Sequence, residues 1–521
     1  MSDSPTKVKL TAWLVFALAL AALMLGSRTQ GNTRDEGYYF DAAPSYSGWY
    51  AELPRNLVHG QFAKSFSRRA VDRAFSYNHE HPALMKTLFG ISERIFHRSL
   101  PLLNEQEAFR LPTNIVVAFM AMCVFLFAAR KGSLAGGLVA ATLSLAAPRL
   151  FFDAQLSCFD APIAALWVIV VYAYFRALDD RRWGWRTGIL FGLALATKHN
   201  AFFLPIILGV HCLWTLRKTR RFPTVFVWMA TLGPLVYLAC WPWLWFDTVA
   251  RFREYVAFHV HHVYYNMEYM GVNYNKPPSP LSFTLFMELI TMPLTTSVLA
   301  LVGIFALAKS RDNDARSPFL LIALNAIFPM AILTLTRAPI FGATKHFHAS
   351  IPFLAILAAA GYEFVAQKRR VVLAVLVCAP AVIATVRTHP YGLSDYTLPA
   401  GGVPGAADLG MNRQFWGYTV SGALPWINQH APKNAAIYWH DTNQSQIDMD
   451  KKLKLMRSDL RNTGLEEPGV RASEIAFVEH EKHFNKYEYW IWDFYGITKP
   501  SLIVDLDGVP LLTLYQRPKT P

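Results

Sequence analysis

Long apolar stretches are the feature that most constrains this chain. Several approach the roughly 20 residues needed to cross a bilayer's hydrocarbon core. Only 17% of the 521 residues are charged, against about 25% in soluble proteins. The chain is therefore predicted to be a polytopic α-helical membrane protein with about 11 transmembrane helices. The predicted spans lie at about 10–26, 112–129, 132–150, 161–176, 187–197, 200–216, 223–246, 281–308, 318–335, 348–366 and 371–387.

The first stretch follows Lys7 and Lys9 but lacks an Ala-x-Ala cleavage site, so we interpret it as a retained helix. The run 187–216 is interrupted by Lys198-His199-Asn200. Two short crossings that meet there place the basic clusters at 181–182 and 217–221 on one side, as the positive-inside rule favours. With the N-terminus inside, the inner segments hold 18 basic and five acidic residues. The net charge of +14 is then a topological signal and not a nucleic-acid patch.

Three polar segments fall on the predicted outer side: a first loop at 27–111, a second at 247–280 and a tail at 388–521. We divide the chain into a transmembrane domain, 1–387, and a soluble outer domain, 388–521, with a mixed α/β pattern. Gly401–Gly405 suits a linker or a tight loop. A helix is predicted near 418–430, and strands at Ala435–Trp439, Glu474–Val478, Tyr489–Trp492, Leu502–Asp505 and Leu511–Tyr515. No cysteine follows Cys378, which excludes a disulfide-stapled module or a cysteine zinc site in the tail.

Ionisable residues recur on this outer side, next to apolar helix ends, where they are costly unless they pair or function. They are Asp35-Glu36, His79-Glu80-His81, Arg149, Asp153, Asp160, Lys198-His199-Asn200, the His259/His261/His262 group and Lys345-His346 with His348. Brought together, they would form a mixed acid and base pocket. Asp35 is either a general base or part of a solvated acidic turn.

Several other residues allow two interpretations. Asp160, before Ala161-Pro162, suits a helix N-cap as well as a pocket residue. Arg149, Asp153 and Asp160 also suit interface salt bridges. Lys198 and Lys345 either neutralise a lipid phosphate or, for Lys198, snorkel to the interface. The histidine group at 259–262 suggests zinc, although an amphipathic interfacial segment is favoured.

These residues resemble a known family, the GT-C membrane glycosyltransferases of family 39, over roughly 10–390. That family includes protein O-mannosyltransferases and the lipid A aminoarabinose transferase. Asp35-Glu36 is similar to its acidic pair after the first helix. The other similar segments are His81-Pro82-Ala83-Leu84 with Lys86, Asp160-Ala161-Pro162, Thr197-Lys198, and Lys345-His346-Phe347 with Pro352.

The resemblance implies transfer of a hexose or pentose, mannose included, from a polyprenyl-phosphate carrier to an acceptor hydroxyl on the outer face, with inversion. It implies Asp35 and Glu36 as catalytic residues, Asp35 as the base. Lys198, Lys345 and Arg149 would stabilise the phosphate leaving group. No cofactor is expected; a divalent metal is compatible but not favoured. The remaining substrate-binding candidates are His81, Lys86, Asp153, Asp160 and His199.

The expected partners are the lipid-linked sugar, a hydroxyl acceptor on protein, lipid or glycan, and membrane lipids, with no nucleic acid. The favoured location is a bacterial inner membrane with a cytoplasmic N-terminus and a periplasmic tail; an organelle membrane is the alternative. A transporter of lipid-linked or small solutes is the main rival function. It would place ionisable residues near helix midpoints and repeat one half of the chain in the other, and neither pattern is visible. An inert relative whose tail is the working part is the second rival.

Overall fold

A computed structural model describes residues 4–219, 223–309, 318–336, 340, 342–366 and 370–519 of this chain. The predicted inner residues Arg220, Arg221, Arg311, Arg316, Lys368 and Arg369 lie outside the described residues.

The first polar segment is helical rather than extended. Apolar helix α1 (Pro5–Ser27) is followed by α2 (Arg34–Val58), α3 (Phe62–Phe66), α4 (Arg68–Phe75), α5 (Leu84–Glu93) and a π-helical turn at Arg94–Ser99. Helix α2 begins with a capping box, in which the Thr33 hydroxyl accepts from the Glu36 amide and the Glu36 carboxylate accepts from the Thr33 amide. This box fixes where Asp35 lies in the first turn.

Apolar helices make up most of the region that follows. They are α6 (Glu105–Lys131), α7 (Leu134–Leu145), the short α8 (Pro148–Asp153), α9 (Asp160–Ala177), α10 (Arg182–Leu195), α11 (Leu204–Thr219) and α12 (Val225–Cys240), with 3₁₀ turns at His199–Phe203 and Pro242–Trp245. Helices α10 and α11 are separate elements on either side of Lys198, as the interrupted apolar run predicts.

The next region begins on a polar helix and a hairpin and returns to apolar helices. Its elements are α13 (Thr248–Val260), β1 (Met267–Tyr269), β2 (Val272–Tyr274), α14 (Phe283–Thr291), α15 (Leu294–Lys309), α16 (Pro318–Leu335), a 3₁₀ turn at Ala343–Phe347, α17 (Ser350–Val365) and α18 (Arg370–Thr388).

The number of membrane crossings is not settled by these helices. Among the described residues, five are long and apolar enough to span a bilayer, or six if α14 and α15, which meet at a 118° bend, form one broken span. The described residues also include shorter apolar helices of 10–17 residues, at Leu134–Leu145, His199–Thr215, Val225–Cys240 and Ser350–Val365. The chain is a helical membrane protein, and the count of 11 spans stays a prediction.

The two ends of the helical bundle differ in what they bring together. At one end, Arg130 in the last turn of α6 donates to Asp179 after α9 (2.6 Å), and the Ser133 amide before α7 donates to Glu363 in α17 (2.9 Å). These residues belong to the predicted inner segments or lie next to them. The opposite ends of α9 and α17 converge with α2, and the candidate site lies there.

The tail carries a five-stranded mixed sheet. Its elements are α19 (Gly402–Asp408), α20 (Leu424–His430), β3 (Ala436–Trp439), α21 (Gln444–Lys452), β4 (Arg461–Asn462), α22 (Glu466–Ala472), β5 (Ile475–Glu479), α23 (Asn485–Tyr495), β6 (Leu502–Leu506) and β7 (Val509–Gln516), with 3₁₀ turns at Gly392–Ser394, Leu398–Ala400, Tyr418–Gly422 and Lys482–Phe484. The strand order is β4-β3-β5-β7-β6, with β3 parallel to β4 and β5. Strand β7 is antiparallel to β5 and β6.

Two predictions for the tail are wrong. Tyr489–Trp492 was predicted as a strand but lies in α23, because Tyr487, Ile491 and Tyr495 recur every four residues and bury one helical face. Gly401–Gly405 was predicted as a linker or tight loop. It instead starts α19, with Gly401 and Gly402 at φ of +78° and +70° leading into the helix.

The tail packs directly against the start of α2. The Asn32 side chain donates to Asp450 in α21 (2.7 Å), and Gln446 of the same helix donates to the Asn32 carbonyl (2.7 Å). Arg34 forms an ion pair with Asp441, which follows β3. The tail therefore forms part of the wall around Asp35. The boundary at 387/388 between two domains stays a prediction.

Candidate active site

A cavity of about 620 Å³ lies where the ends of α9, α10 and α17 meet the start of α2 and the tail. One wall is apolar and comes from the spanning helices; it includes Trp167, Phe203, Pro329, Ile332 and Leu333. The rest of the lining is more polar and includes residues of α2, the 78–81 loop and the tail. A cavity of this kind suits a ligand with one apolar and one polar end.

Asp35 faces this cavity from the first turn of α2. Its side chain is 27% exposed, and its Oδ1 lies 3.9 Å from Arg34 Nε. Arg34 is engaged by Asp441 as well, so its guanidinium is shared between two carboxylates. Asp35 thus keeps an accessible carboxylate at the cavity wall, as a general base requires.

Glu36, the second predicted catalytic residue, points away from the cavity. Its side chain is fully buried and receives Arg110 Nε (2.8 Å) and Nη2 (2.7 Å) and the Ser157 amide (2.8 Å). Glu36 is not among the residues that line the cavity. These contacts tie α2 to α6 and to the chain before α9.

The loop from 78 to 81 brings Asn78, Glu80 and His81 to the cavity. Lys86 was predicted to bind substrate, but it lies behind this loop. Its ammonium donates to the Asn78 carbonyl, to Asn78 Oδ1 (3.1 Å) and to the His81 carbonyl (2.9 Å). Lys86 is fully buried and positions the loop.

Asp160 and Lys198 form a buried ion pair in the cavity lining. Lys198 Nζ lies 2.6 Å from Asp160 Oδ1, and both residues line the cavity. The N-cap interpretation of Asp160 is wrong, because Phe159 is the N-cap and the Asp160 carboxylate binds Lys198 instead. Lys345 also lines the cavity, with its ammonium 4.2 Å from the Trp416 ring centre.

Histidine rings line the cavity between Lys198 and Tyr265. The His199 and His259 rings are 4.3 Å apart, and His81 lies 5.7 Å from His259. His262 and Tyr265 line the cavity too. His261 hydrogen-bonds to the Ala257 carbonyl on an exposed surface, so the predicted group of three does not converge.

Asp153 and Arg149 were predicted to bind substrate, but their side chains pack outside the cavity lining. Asp153 is buried against His348, whose Nε2 is 2.6 Å from Asp153 Oδ2. Arg149 donates to the Asp395 carbonyl (3.1 and 3.2 Å) and stacks on Tyr396 at 4.5 Å. Neither lines the cavity. Arg149 therefore ties α8 to the tail and is not placed to bind a phosphate.

The tail contributes cavity residues that the sequence analysis did not find. They are Asn412, Phe415, Trp416, Asp441, Glu481, His483 and Phe484, and α2 adds Tyr38 and Tyr39. Burial raises the pKa of Asp441 despite its pairing with Arg34, and raises the pKa of Glu481 well above its usual range. The tail residues have no motif, and only the three-dimensional contact with α2 reveals them.

One family model matches part of this chain. The family model for dolichyl-phosphate-mannose-protein mannosyltransferases matches residues 80–246, which contain His81, Asp160 and Lys198. Asp35 and Lys345 lie outside the matched segment. A search of curated protein sequences gives no significant match to the chain.

Solved structures match over nearly the whole chain. ArnT from Cupriavidus metallidurans in the apo state has a TM-score of 0.51 at 14% identity, covering 97% of this chain and 98% of ArnT. ArnT bound to undecaprenyl phosphate has a TM-score of 0.52 at 15% identity, covering 96% and 97%. The chain shares the fold of ArnT.

The archaeal oligosaccharyltransferase AglB from Archaeoglobus fulgidus, in complex with an inhibitory peptide and a dolichol-phosphate, also matches. Its TM-score is 0.52 at 14% identity, and the match covers 95% of this chain and 72% of AglB. The predicted resemblance to GT-C membrane glycosyltransferases is thus confirmed. The fold extends beyond the segment that the family model matches.

Proposed function

We propose that this chain transfers a sugar from a polyprenyl-phosphate carrier to an acceptor hydroxyl, with inversion at the anomeric carbon. The carrying observation is the cavity itself, because the accessible carboxylate of Asp35 and the ammonium groups of Lys198 and Lys345 line the same cavity as apolar side chains of the membrane helices. The family-model match and the ArnT and AglB complexes with polyprenyl phosphates support the same reaction class.

The reaction needs one base and one stabilised leaving group. The acceptor oxygen attacks the anomeric carbon while its proton passes to Asp35. The bond from that carbon to the phosphate oxygen breaks, and its electron pair leaves on the polyprenyl phosphate. Attack from the face opposite the leaving group inverts the configuration.

Lys198 and Lys345 are the cations placed for the phosphate. Both line the cavity, both are buried, and they come from different helix ends. Fixed cations aimed at growing negative charge lower the barrier without further reorganisation. Asp160 Oδ1 lies 2.6 Å from Lys198 Nζ and thereby fixes the Lys198 ammonium in the cavity lining.

The apolar wall gives the prenyl chain a place to lie. Trp167, Phe203, Pro329, Ile332 and Leu333 belong to the membrane helices or their ends. The ionisable residues sit at helix ends, with Asp160 starting α9 and Lys198 following α10. A transporter would instead place such residues near helix midpoints, so the geometry favours the transferase.

The acceptor and sugar then occupy the polar side. Tyr38, His81, His199 and Asn412 supply hydrogen-bonding groups around Asp35. We propose a bacterial inner membrane with this side facing the periplasm and the N-terminus in the cytoplasm. Helix-end basic residues in the opposite segments support that orientation.

The test is transfer from a synthetic polyprenyl-phosphate sugar by purified protein. Asp35→Asn keeps the side-chain volume but cannot take the proton, and general-base loss typically costs about 10²–10⁴-fold in turnover. Asp41→Asn is the matched control, because Asp41 lies on the same helix outside the cavity lining. Donor binding should survive in both. Normal turnover in a well-folded Asp35→Asn variant would remove Asp35 as the base.

A further inference from the structure

A second cluster of ligand-type side chains lies where the β1–β2 hairpin meets the tail. Glu268 is on β1, and Glu481 and His483 follow β5. One donor atom from each lies within 4.8 Å of the others. His483 Nδ1 is 3.6 Å from Glu481 Oε2 and 4.0 Å from Glu268 Oε1.

Of the two carboxylates in the cluster, Glu268 accepts hydrogen bonds from the Lys482 amide and the Asn266 side chain (3.4 Å). The Glu268 and Glu481 side chains are only 7% and 6% exposed. Among the described residues, the Glu481 carboxylate has no hydrogen-bond donor, and its nearest basic group is His483. His483 Nδ1 is buried without a hydrogen-bond partner. The Lys482 ammonium is turned away to the Gly271 carbonyl, and Arg34 is held by Asp35 and Asp441.

Two buried carboxylates so close together require a compensating cation or proton. An imidazole nitrogen and two carboxylate oxygens form a donor set that zinc and similar first-row divalent ions accept. Glu481 and His483 also line the cavity, so a fourth coordination position would open toward it.

We propose that Glu268, Glu481 and His483 bind one divalent first-row metal ion, with Zn²⁺ the best fit. The site joins the hairpin to the tail across the cavity rim. The hairpin is already fastened there, since the Glu268 amide donates to Asn412 Oδ1 (2.5 Å) and the Gly271 amide to the Gly410 carbonyl (3.0 Å). The ion adds a cross-link that fixes Tyr265 and Asn266 at the cavity wall. It does not depend on the proposed transfer reaction.

The experiment measures metal binding without donor or acceptor. Purified full-length protein is stripped with a chelator and titrated with Zn²⁺, and bound metal is counted by mass spectrometry. Wild type should bind one equivalent, and its melting temperature should rise with Zn²⁺ concentration because the ion binds the folded state. Glu268→Gln, Glu481→Gln and His483→Gln should each bind at least about tenfold more weakly and lose the shift.

Matched controls come from the same tail. Glu467→Gln and His430→Gln change an exposed carboxylate and a histidine outside the cluster and should behave as wild type. Cobalt(II) absorption reports the ligand set in variants that still bind. Lack of stoichiometric zinc in wild type would overturn the proposal. Unchanged zinc affinity in folded Glu481→Gln and His483→Gln would overturn it too, by placing the ion elsewhere. Stoichiometric zinc binding that these variants weaken would support the metal site even in a protein without transfer activity.

Discussion

At the scale of single residues, the adjacent carboxylates of Asp35 and Glu36 lie in different environments, one accessible and one fully buried. A helix places Asp35 and Glu36 about 100° apart around its axis, so they cannot address the same proton. Asp35 meets the cavity, whereas Glu36 is enclosed by Arg110, Ser157 and its own capping box. One member of the pair is therefore open to the cavity, and the other holds the start of α2 in place.

Glu36→Gln should therefore cost stability before it costs catalysis. Arg110 also donates to the Ser27, Gln30 and Gly31 carbonyls, so its charge would remain buried without a counter-ion. Removing one partner of a buried pair costs about 3–5 kcal/mol. Melting of the purified variant in detergent should show a large loss, against little change in Glu52→Gln on an exposed face of α2. Wild-type melting with lost turnover would make Glu36 a catalytic residue.

Much of the site was predictable from residue type and position next to apolar helix ends. Asp35, His81, Asp160, Lys198, His199 and Lys345 all line the cavity as the sequence suggested. Lys86, Arg149 and Asp153 carry the same local signal, yet they face backbone carbonyls or His348. A charged residue near an apolar helix end is therefore expected to be buried or functional. Its position in the sequence does not predict whether its side chain lines the cavity or packs behind the lining residues.

At the scale of elements, the sequence located the apolar helices and four of the five predicted tail strands, which are β3, β5, β6 and β7. The apolar runs match helices because a bilayer-length run of apolar side chains leaves few alternatives. In the tail, Tyr489–Trp492 contains aromatic residues of high strand propensity, but the buried residues around it recur with helical spacing. Tertiary packing therefore favours helix α23 over a strand. The contact of α21 with the start of α2 joins residues more than 400 positions apart, which no local pattern can reveal.

That contact predicts a pH-dependent stability. Burial raises the pKa of Asp450 in α21 to about 7, although Asn32 donates to it and Arg110 lies nearby. The unfolded chain loses this proton near its ordinary pKa of 3.8. Between these values the folded state binds the extra proton, so its stability falls as pH rises through the window and levels off above it.

Asp450→Asn imitates the protonated acid and removes this loss. The variant should melt above wild type, by a margin that grows from pH 5 to pH 7 and then stays constant. Asp448→Asn, on the exposed face of the same helix, should show no such trend. A margin independent of pH would mean that Asp450 does not carry the raised pKa.

At the scale of the whole molecule, the chain combines a helical membrane bundle with a polar tail that completes one cavity. The bundle supplies the apolar wall, Asp160, Lys198 and Lys345, α2 supplies Asp35, and the tail supplies Trp416 and Asp441. The family model matches only residues 80–246, whereas the fold matches ArnT over 97% of the chain, the tail included.

The most direct measurement of this account is donor cleavage by the purified protein in proteoliposomes. Synthetic polyprenyl-phosphate sugars are supplied with a cell-envelope extract as acceptor, and free polyprenyl phosphate and transferred sugar are both counted. The account predicts equal amounts of the two products. It also predicts a loss of about 10–100-fold in Lys198→Ala, from one charge-assisted contact of about 1.5–3 kcal/mol. Lys276→Ala, on an exposed part of the second polar segment, is the control. Equal rates for wild type and a folded Lys198→Ala, or no release of polyprenyl phosphate from any sugar donor, would contradict it.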